Sequence, residues 1–79
     1  GASGAALPSI TASGSIALVD ALVALGFAGS KGEARRLIKG GGARVAGEKV
    51  GDEAAVVAIG TEPVRVSAGK KHHGMVNPG

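Results

Sequence analysis

Apolar residues recur at helical spacing in the first third of the chain. The spacing i, i+4, i+7 is that of Leu18, Leu22 and Leu25, and two valines, Val19 and Val23, flank this stripe. Ser15 is placed to cap such a helix and Gly26 to end it. The pattern therefore predicts a helix from Ser15 to about Leu25. Because Asp20 is its only charge, this helix is expected to be largely buried.

A second helix is predicted from Lys31 to about Lys39. Ser30 and Glu33 have the spacing of a capping box, in which the serine oxygen accepts the Glu33 amide and Glu33 reaches back to the cap amide. At about 100° per residue, this helix has one apolar arc and one basic arc. The apolar arc holds Ala34, Leu37 and Ile38, and the basic arc holds Lys31, Arg35, Arg36 and Lys39. One arginine, Arg36 beside Glu33, is a candidate for a local ion pair.

Strands are predicted for most of the remaining chain. Gly40-Gly41-Gly42 ends the second helix, and residues 43–45 and 48–50 form a hairpin around Ala46-Gly47, with Arg44 opposite Lys49. Residues 53–59 fit either a helical turn or a buried strand. Residues 64–67 alternate as a strand, 69–74 form a basic loop or hairpin end, and 75–76 form a final strand.

The pattern also predicts the domain boundaries. Residues 1–14 carry no charge and are rich in glycine, alanine and serine, which indicates a flexible linker or a remnant of an expression vector. Residues 15–76 are then the folded domain, and 77–79 a tail.

Charge is concentrated in the middle of the chain. The net charge of the 79 residues is +3, whereas residues 31–49 alone carry six bases and two acids. A basic segment on a nearly neutral domain is typical of a polyanion site. A solvated surface, or a module for protein partners or anionic lipid, remains open from charge alone.

Several function classes are disfavoured by the residue types. There is no cysteine, and His72-His73 have no third ligand at suitable spacing, so no metal site is predicted. No carboxylate pair, activated nucleophile or phosphate-binding glycine loop is recognisable, so no catalytic residue is predicted. No apolar run approaches the roughly 20 residues that span a bilayer. With one phenylalanine and no tyrosine or tryptophan, stacking on unpaired bases has little support.

From Ser15 to Val76 the sequence resembles the alpha-L RNA-binding motif, the family of ribosomal small-subunit protein four. The resemblance rests on an apolar helix ending at Leu25-Gly26, then on the run SKGEARRLIKGGGARVAGEKV of residues 30–50, and then on Asp52. Family members commonly have Asn-Gly at the hairpin turn, where this chain has Ala46-Gly47. Membership implies an α+β fold, in which two packed helices lie against a small, strongly twisted, mostly antiparallel sheet.

Within this family, the chain is most similar to the C-terminal domain of bacterial-type tyrosyl-tRNA synthetases. Two features carry that similarity: the entering segment Leu7-Pro8-Ser9-Ile10, and the ending from Val64 to Val76 with its Gly-Lys-Lys-His core. The resemblance implies a module that binds the long variable arm of tyrosine tRNA and assists its ligation to tyrosine. The alternative is the RNA-targeting domain of an rRNA pseudouridine synthase, an RNA methyltransferase or a ribosome-associated factor.

The resemblance also implies which residues bind RNA and what else to expect. The RNA-binding residues would be Ser30, Lys31, Arg35, Arg36, Lys39, Arg44, Lys49, Lys70, Lys71 and His72. The domain itself would be non-catalytic and would need no cofactor, with ATP and magnesium used only by a catalytic domain outside these 79 residues. The isolated domain is expected to be a monomer, its parent enzyme a homodimer, and its location the cytoplasm or a mitochondrial matrix.

Overall fold

The computed structural model describes residues 7–79. Within that range the chain forms two helices and seven strands. The helices are α1 (Leu18–Ala24) and α2 (Lys31–Lys39). The strands are β1 (Ser9–Ala12), β2 (Ser15–Ala17), β3 (Ala43–Val45), β4 (Glu48–Val50), β5 (Val56–Ala58), β6 (Val64–Ala68) and β7 (His72–Pro78).

The strands of the described chain form two sheets. The larger sheet has the order β1-β7-β6-β3-β4, and all of its pairings are antiparallel except β1 with β7. The smaller sheet pairs β2 with β5 antiparallel. Two helices packed with a mostly antiparallel sheet confirm the expected α+β fold class.

The first helix is shorter than its sequence pattern predicts. Residues 15–17 form strand β2 instead of the first helical turn, and Ala17, not Ser15, is the N-cap residue, without a side-chain hydrogen bond. The cause is a long-range partner: Ile16 lies opposite Val57, and the Leu18 amide donates to the Ala55 carbonyl at 2.9 Å. Backbone groups that would otherwise begin the helix are thus paired with β5.

The segment 53–59, for which helix and strand were both open, contains a strand. Asp52 starts a turn in which its Oδ1 accepts from the Ala54 amide at 2.9 Å and its carbonyl accepts from the Ala55 amide at 3.0 Å. Strand β5 follows that turn, with Val57 buried in the core and Val56 exposed.

The prediction of a flexible linker and a tail is wrong for residues 9–12 and 77–78, which are parts of strands. Residues 9–12 form β1, which pairs in parallel with β7 from Ser9 opposite Met75 to Ala12 opposite Pro78. The same pairing draws residues 77 and 78 of the predicted tail into the sheet. Both segments are poor in charge, so they can lie along the sheet without burying an unpaired ion. Residues 1–6 of the predicted linker lie outside the described part of the chain.

The second helix begins and ends as predicted, with one change in its cap. Ser30 Oγ accepts from the Glu33 amide at 3.2 Å, as the capping box requires. However, Glu33 Oε2 accepts from the amide of Gly29, one residue earlier than predicted, at 2.6 Å. The carboxylate therefore pairs with the amide just before the N-cap residue instead of the amide of Ser30 itself.

The core lies between the helices and one face of the larger sheet, with β5 closing one side. Its fully buried large side chains are Leu18, Leu22, Ile38, Val57, Val66 and Val76. Gly74 permits close packing there, because a Cβ at this position would lie 2.8 Å from Leu25 Cδ2 and 3.1 Å from Phe27 Cζ. No helix of residues 7–79 is long and apolar enough to cross a membrane.

The β3–β4 hairpin has the predicted two-residue turn. Ala46 (φ 52°) and Gly47 (φ 84°) both have positive φ, as a type I′ turn requires. Ala46 is the one described non-glycine residue with positive φ. Its methyl group makes that conformation costly, whereas asparagine tolerates it better.

We therefore expect Ala46→Asn to stabilise the domain by about 0.5–1 kcal/mol. Ala46 is exposed, so the longer side chain has room in solvent. The measurement is the free energy of unfolding from urea denaturation. Ala46→Val serves as the opposite variant, because a β-branched residue is disfavoured at positive φ; equal stability of the two variants would contradict the expectation.

Candidate nucleic-acid interface

A row of polar side chains crosses four strands of the larger sheet. In the observed registers Lys49 lies opposite Arg44, Arg44 opposite Ser67, and Ser67 opposite His73. Side chains directly opposite each other project from the same face of a sheet. The opposition of Arg44 and Lys49, predicted from the hairpin, is confirmed, and the row extends it over β6 and β7.

One end of this row opens into a pocket of about 480 Å³. It lies where the connection from α2 to β3 meets the turn between β6 and β7, and the Gly69 amide joins the two by donating to the Gly42 carbonyl at 2.7 Å. The lining residues are Gly41, Gly42, Arg44, Ser67, Gly69, Lys70 and His73. None of them is acidic.

A third cation lies at the rim of this pocket. The side chain of Lys49 passes over Gly41, since a Cβ built on that glycine would be 2.5 Å from Lys49 Cε and 3.0 Å from its Nζ. Arg44, Lys49 and Lys70 therefore converge on one place. Within residues 7–79 none of the three takes part in an ion pair.

Hydrogen bonds hold the imidazole of His73 in one orientation. Its Nε2 lies 3.1 Å from the Lys70 carbonyl and its Nδ1 lies 3.0 Å from Ser67 Oγ. A carbonyl only accepts, so Nε2 carries the hydrogen, and in the neutral ring Nδ1 accepts from the Ser67 hydroxyl. This arrangement ties the β6–β7 turn to the floor of the pocket, where Ser67 is 7% exposed.

Two of the predicted RNA-binding lysines on α2 are paired with acids. Lys31 Nζ lies 3.3 Å from Asp20 Oδ1 on α1, and Lys39 Nζ lies 3.5 Å from Glu53 Oε2 before β5. Both pairs are exposed, so each contributes at most about 1 kcal/mol to stability. Their charges are nevertheless partly neutralised toward an outside partner.

The two arginines of α2 remain unpaired in the part of the chain that the structure describes. Arg35 and Arg36 are exposed. The predicted ion pair between Arg36 and Glu33 is not among the described contacts, and the Glu33 carboxylate is bonded to the Gly29 amide. Ser30 at the start of the helix is exposed too, with its oxygen engaged as the cap.

The structure separates His72 from the other predicted residues. Its ring lies 5.4 Å from that of Phe27, centroid to centroid, and it is opposite Ala68 in the sheet. Because side chains alternate along β7, His72 projects from the face opposite to His73. His72 thus lies on the other face of the sheet from the pocket but remains exposed, and its assignment to the interface stays a prediction. Lys71 stays exposed in the turn between the strands, outside the pocket lining.

Three further residues project from the sheet face that carries Arg44 and Lys49, and the sequence analysis did not assign them to the interface: Arg65, Ser67 and His73. The alternation of residues 64–67 already placed Arg65 and Ser67 on one face of a strand. The sequence pattern did not identify the neighbouring strands of β6. Its pairing with β3 and β7 is what brings these residues beside Arg44.

Together these features suit a phosphate backbone. Arginine and lysine form the charge-assisted hydrogen bonds that phosphate oxygens prefer. Among residues 7–79 no group of three histidine, cysteine or acidic side chains is arranged to hold a metal ion. The arrangement supports binding of a polyanion by side chains on α2, the β3–β4 hairpin and the β6–β7 turn.

Comparison with known proteins identifies relatives over the whole of this arrangement. A family model described as "Tyrosine–tRNA ligase SYY-like C-terminal domain" matches residues 2–76. The chain is 58% identical over 80 aligned positions to a tyrosine–tRNA ligase of Zymomonas mobilis, covering all of this chain and 20% of that protein. It is 52% identical to the ligase of Novosphingobium aromaticivorans, with 96% of this chain and 19% of that protein covered. The identity to the ligase of Aquifex aeolicus is 49%, with 67% of this chain and 13% of that protein covered. The chain thus spans about a fifth of the length of the first two relatives.

Proposed function

The chain belongs to the family of tyrosine–tRNA ligase C-terminal domains, and from that premise we propose that it binds tRNA, with the long variable arm of tyrosine tRNA as its target. The observation that carries the proposal is the convergence of Arg44, Lys49 and Lys70 on one acid-free pocket. Like charges directly opposed, as in Arg44 and Lys49, destabilise a hairpin. A phosphate backbone across them removes that cost.

The binding mode follows from the available side chains. Phosphate and shape contacts would dominate, because the chain offers Arg35 and Arg36 on α2 and three cations around the pocket. Lys31 and Lys39 would contribute less, since Asp20 and Glu53 lie within ion-pair distance of them. Affinity should therefore fall steeply with salt.

In this proposal the domain performs no chemistry and assists ligation by holding the tRNA. The chain corresponds to only about a fifth of the length of the Zymomonas mobilis and Novosphingobium aromaticivorans ligases, so tyrosine activation, with its ATP and magnesium, would belong to the remaining four-fifths of such an enzyme. The place of action would be the cytoplasm. Membership in the ligase family favours this reading over an rRNA-modifying or ribosome-associated one.

An NMR titration of the ¹⁵N-labelled chain tests the proposal. The ligands are tyrosine tRNA and a tRNA with a short variable arm, each at about 50 mM and about 200 mM salt. We expect the long-armed tRNA to bind more tightly, with the largest amide shifts in residues 31–49 and 65–73, and to lose at least about tenfold in affinity at the higher salt.

Two results would count against the proposal. Equal affinity for both tRNAs would remove the variable arm as the target and leave a general RNA-binding module. Absence of binding at low salt would remove the RNA-binding function. A single-stranded RNA of matched length is the control, because a shape-reading domain should bind it more weakly than the arm.

A further inference from the structure

The pocket between the α2–β3 connection and the β6–β7 turn is larger than a phosphate contact requires. Its volume of about 480 Å³ lies in the range of roughly 300–1,000 Å³ that is usual for pockets holding small organic ligands. A backbone phosphate on a helix or hairpin surface needs only exposed cations. A concave site with a buried polar floor, here Ser67, offers room for more than the phosphate.

Resting on the proposed RNA binding, we propose that this pocket is a subsite for one unpaired nucleotide of the bound RNA. Arg44, Lys49 and Lys70 would bind its phosphate, and Ser67 and His73 would contact its sugar and base. The domain would then read one extruded nucleotide in addition to the shape of a helical arm.

The backbone amides of the lining glycines are not free to hold the anion. The amides of the three lining glycines donate to the carbonyls of Ile38 (Gly41, 3.0 Å), Leu37 (Gly42, 2.9 Å) and Gly42 (Gly69, 2.7 Å). Recognition of the phosphate would therefore rest mainly on the three cationic side chains. Removing one of them should weaken binding in proportion to a charge-assisted hydrogen bond.

His73 supplies the surface for the base. The chain has no tyrosine or tryptophan, and its one phenylalanine contacts His72 on the opposite face of the sheet. Imidazole rings and guanidinium planes are both used to stack unpaired bases in RNA-binding proteins. The two hydrogen bonds of His73 fix its ring beforehand, so little side-chain entropy is lost when a base binds. Ser67 Oγ, after donating to His73, keeps a lone pair that can accept a hydrogen bond from the ligand.

The first test uses small probes on the ¹⁵N-labelled chain: uridine monophosphate, inorganic phosphate and uridine. We expect uridine monophosphate to shift the amides of Gly42, Ser67, Gly69 and His73 at millimolar concentration. Inorganic phosphate should bind the same residues at least about threefold more weakly, because it lacks the contacts of sugar and base. Equal affinity for phosphate and nucleotide, or no shift at these residues with the nucleotide, would overturn the subsite.

The second test uses two adjacent lysines as a matched pair. Lys70 lines the pocket and Lys71 does not, yet both are exposed residues of the same turn and carry the same charge. We expect Lys70→Ala to weaken binding of both tyrosine tRNA and uridine monophosphate about tenfold. Lys71→Ala should lower the affinity for the tRNA about twofold and leave the affinity for uridine monophosphate unchanged.

The outcomes separate this inference from the proposed function. If the unaltered chain binds tyrosine tRNA but the two lysine variants lose affinity equally, the subsite is wrong and the general interface stands. If the unaltered chain does not bind tRNA, the proposed function is wrong, and the nucleotide subsite on RNA falls with it. Amide spectra of both variants in the absence of ligand check that the fold is retained.

Discussion

Replacing Arg44 and Lys49 together by glutamine is expected to lower the affinity for tyrosine tRNA by about a hundredfold. Each cation would contribute roughly 1.5 kcal/mol through a charge-assisted contact with phosphate, which corresponds to about tenfold per residue. The slope of log affinity against log salt should also fall by about two, one for each lost phosphate contact. Fluorescence anisotropy with labelled tRNA at several salt concentrations measures both quantities.

The same double variant is expected to be at least as stable as the unaltered domain. Arg44 and Lys49 are directly opposed in the β3–β4 pairing, and neither has an acidic partner among residues 7–79. Removing their repulsion should add a few tenths of a kcal/mol to the free energy of unfolding. Weaker binding together with unchanged or greater stability distinguishes a loss of contacts from a loss of fold.

Lys31→Gln with Lys39→Gln is the matched control. It removes the same two positive charges, but from side chains that lie 3.3 and 3.5 Å from acids of the domain. We expect a loss of affinity below about tenfold and a stability loss of at most about 1 kcal/mol per pair. Equal losses of affinity in the two double variants would show that binding follows net charge alone. The sheet face that carries Arg44 and Lys49 would then not be the main contact with the tRNA.

Ile38→Ala is expected to unfold most of the domain at 37 °C. The Ile38 side chain is fully buried in the core, and truncation of such a residue costs about 2–5 kcal/mol. A single domain of this size rarely has more than about 5 kcal/mol of net stability. Urea denaturation followed by circular dichroism measures the loss. Binding to tRNA should disappear with the fold, because Ile38 anchors the helix that carries Arg35 and Arg36.

Leu37→Ala tests whether the effect depends on burial. Leu37 adjoins Ile38 on α2 but is only half-buried, with its Cδ1 against Gly42. Since less apolar surface is lost, we expect a cost below about 2 kcal/mol and a domain that still folds. Comparable stability of the two variants would mean that α2 is not held to the core through Ile38.

The sequence pattern determined the parts of the fold that depend on near neighbours. The bounds of α2, its cap by Ser30 and the turn at Ala46-Gly47 rest on contacts within four residues, which fixed spacings along the chain can indicate. The opposition of Arg44 and Lys49 follows from that two-residue turn. Clustered charge likewise placed Arg35, Arg36, Arg44 and Lys49 on the exposed surface.

Only the tertiary structure decided the pairings between distant segments. Strand β1 lies beside β7, from the other end of the chain, and β2 lies beside β5, so residues predicted as linker and helix became strand. Periodicity within a segment does not specify a partner strand or its register, yet the register decides which face each side chain takes. For this reason His73 joins Arg44, Lys49 and Lys70 around the pocket while its neighbour His72 packs against Phe27.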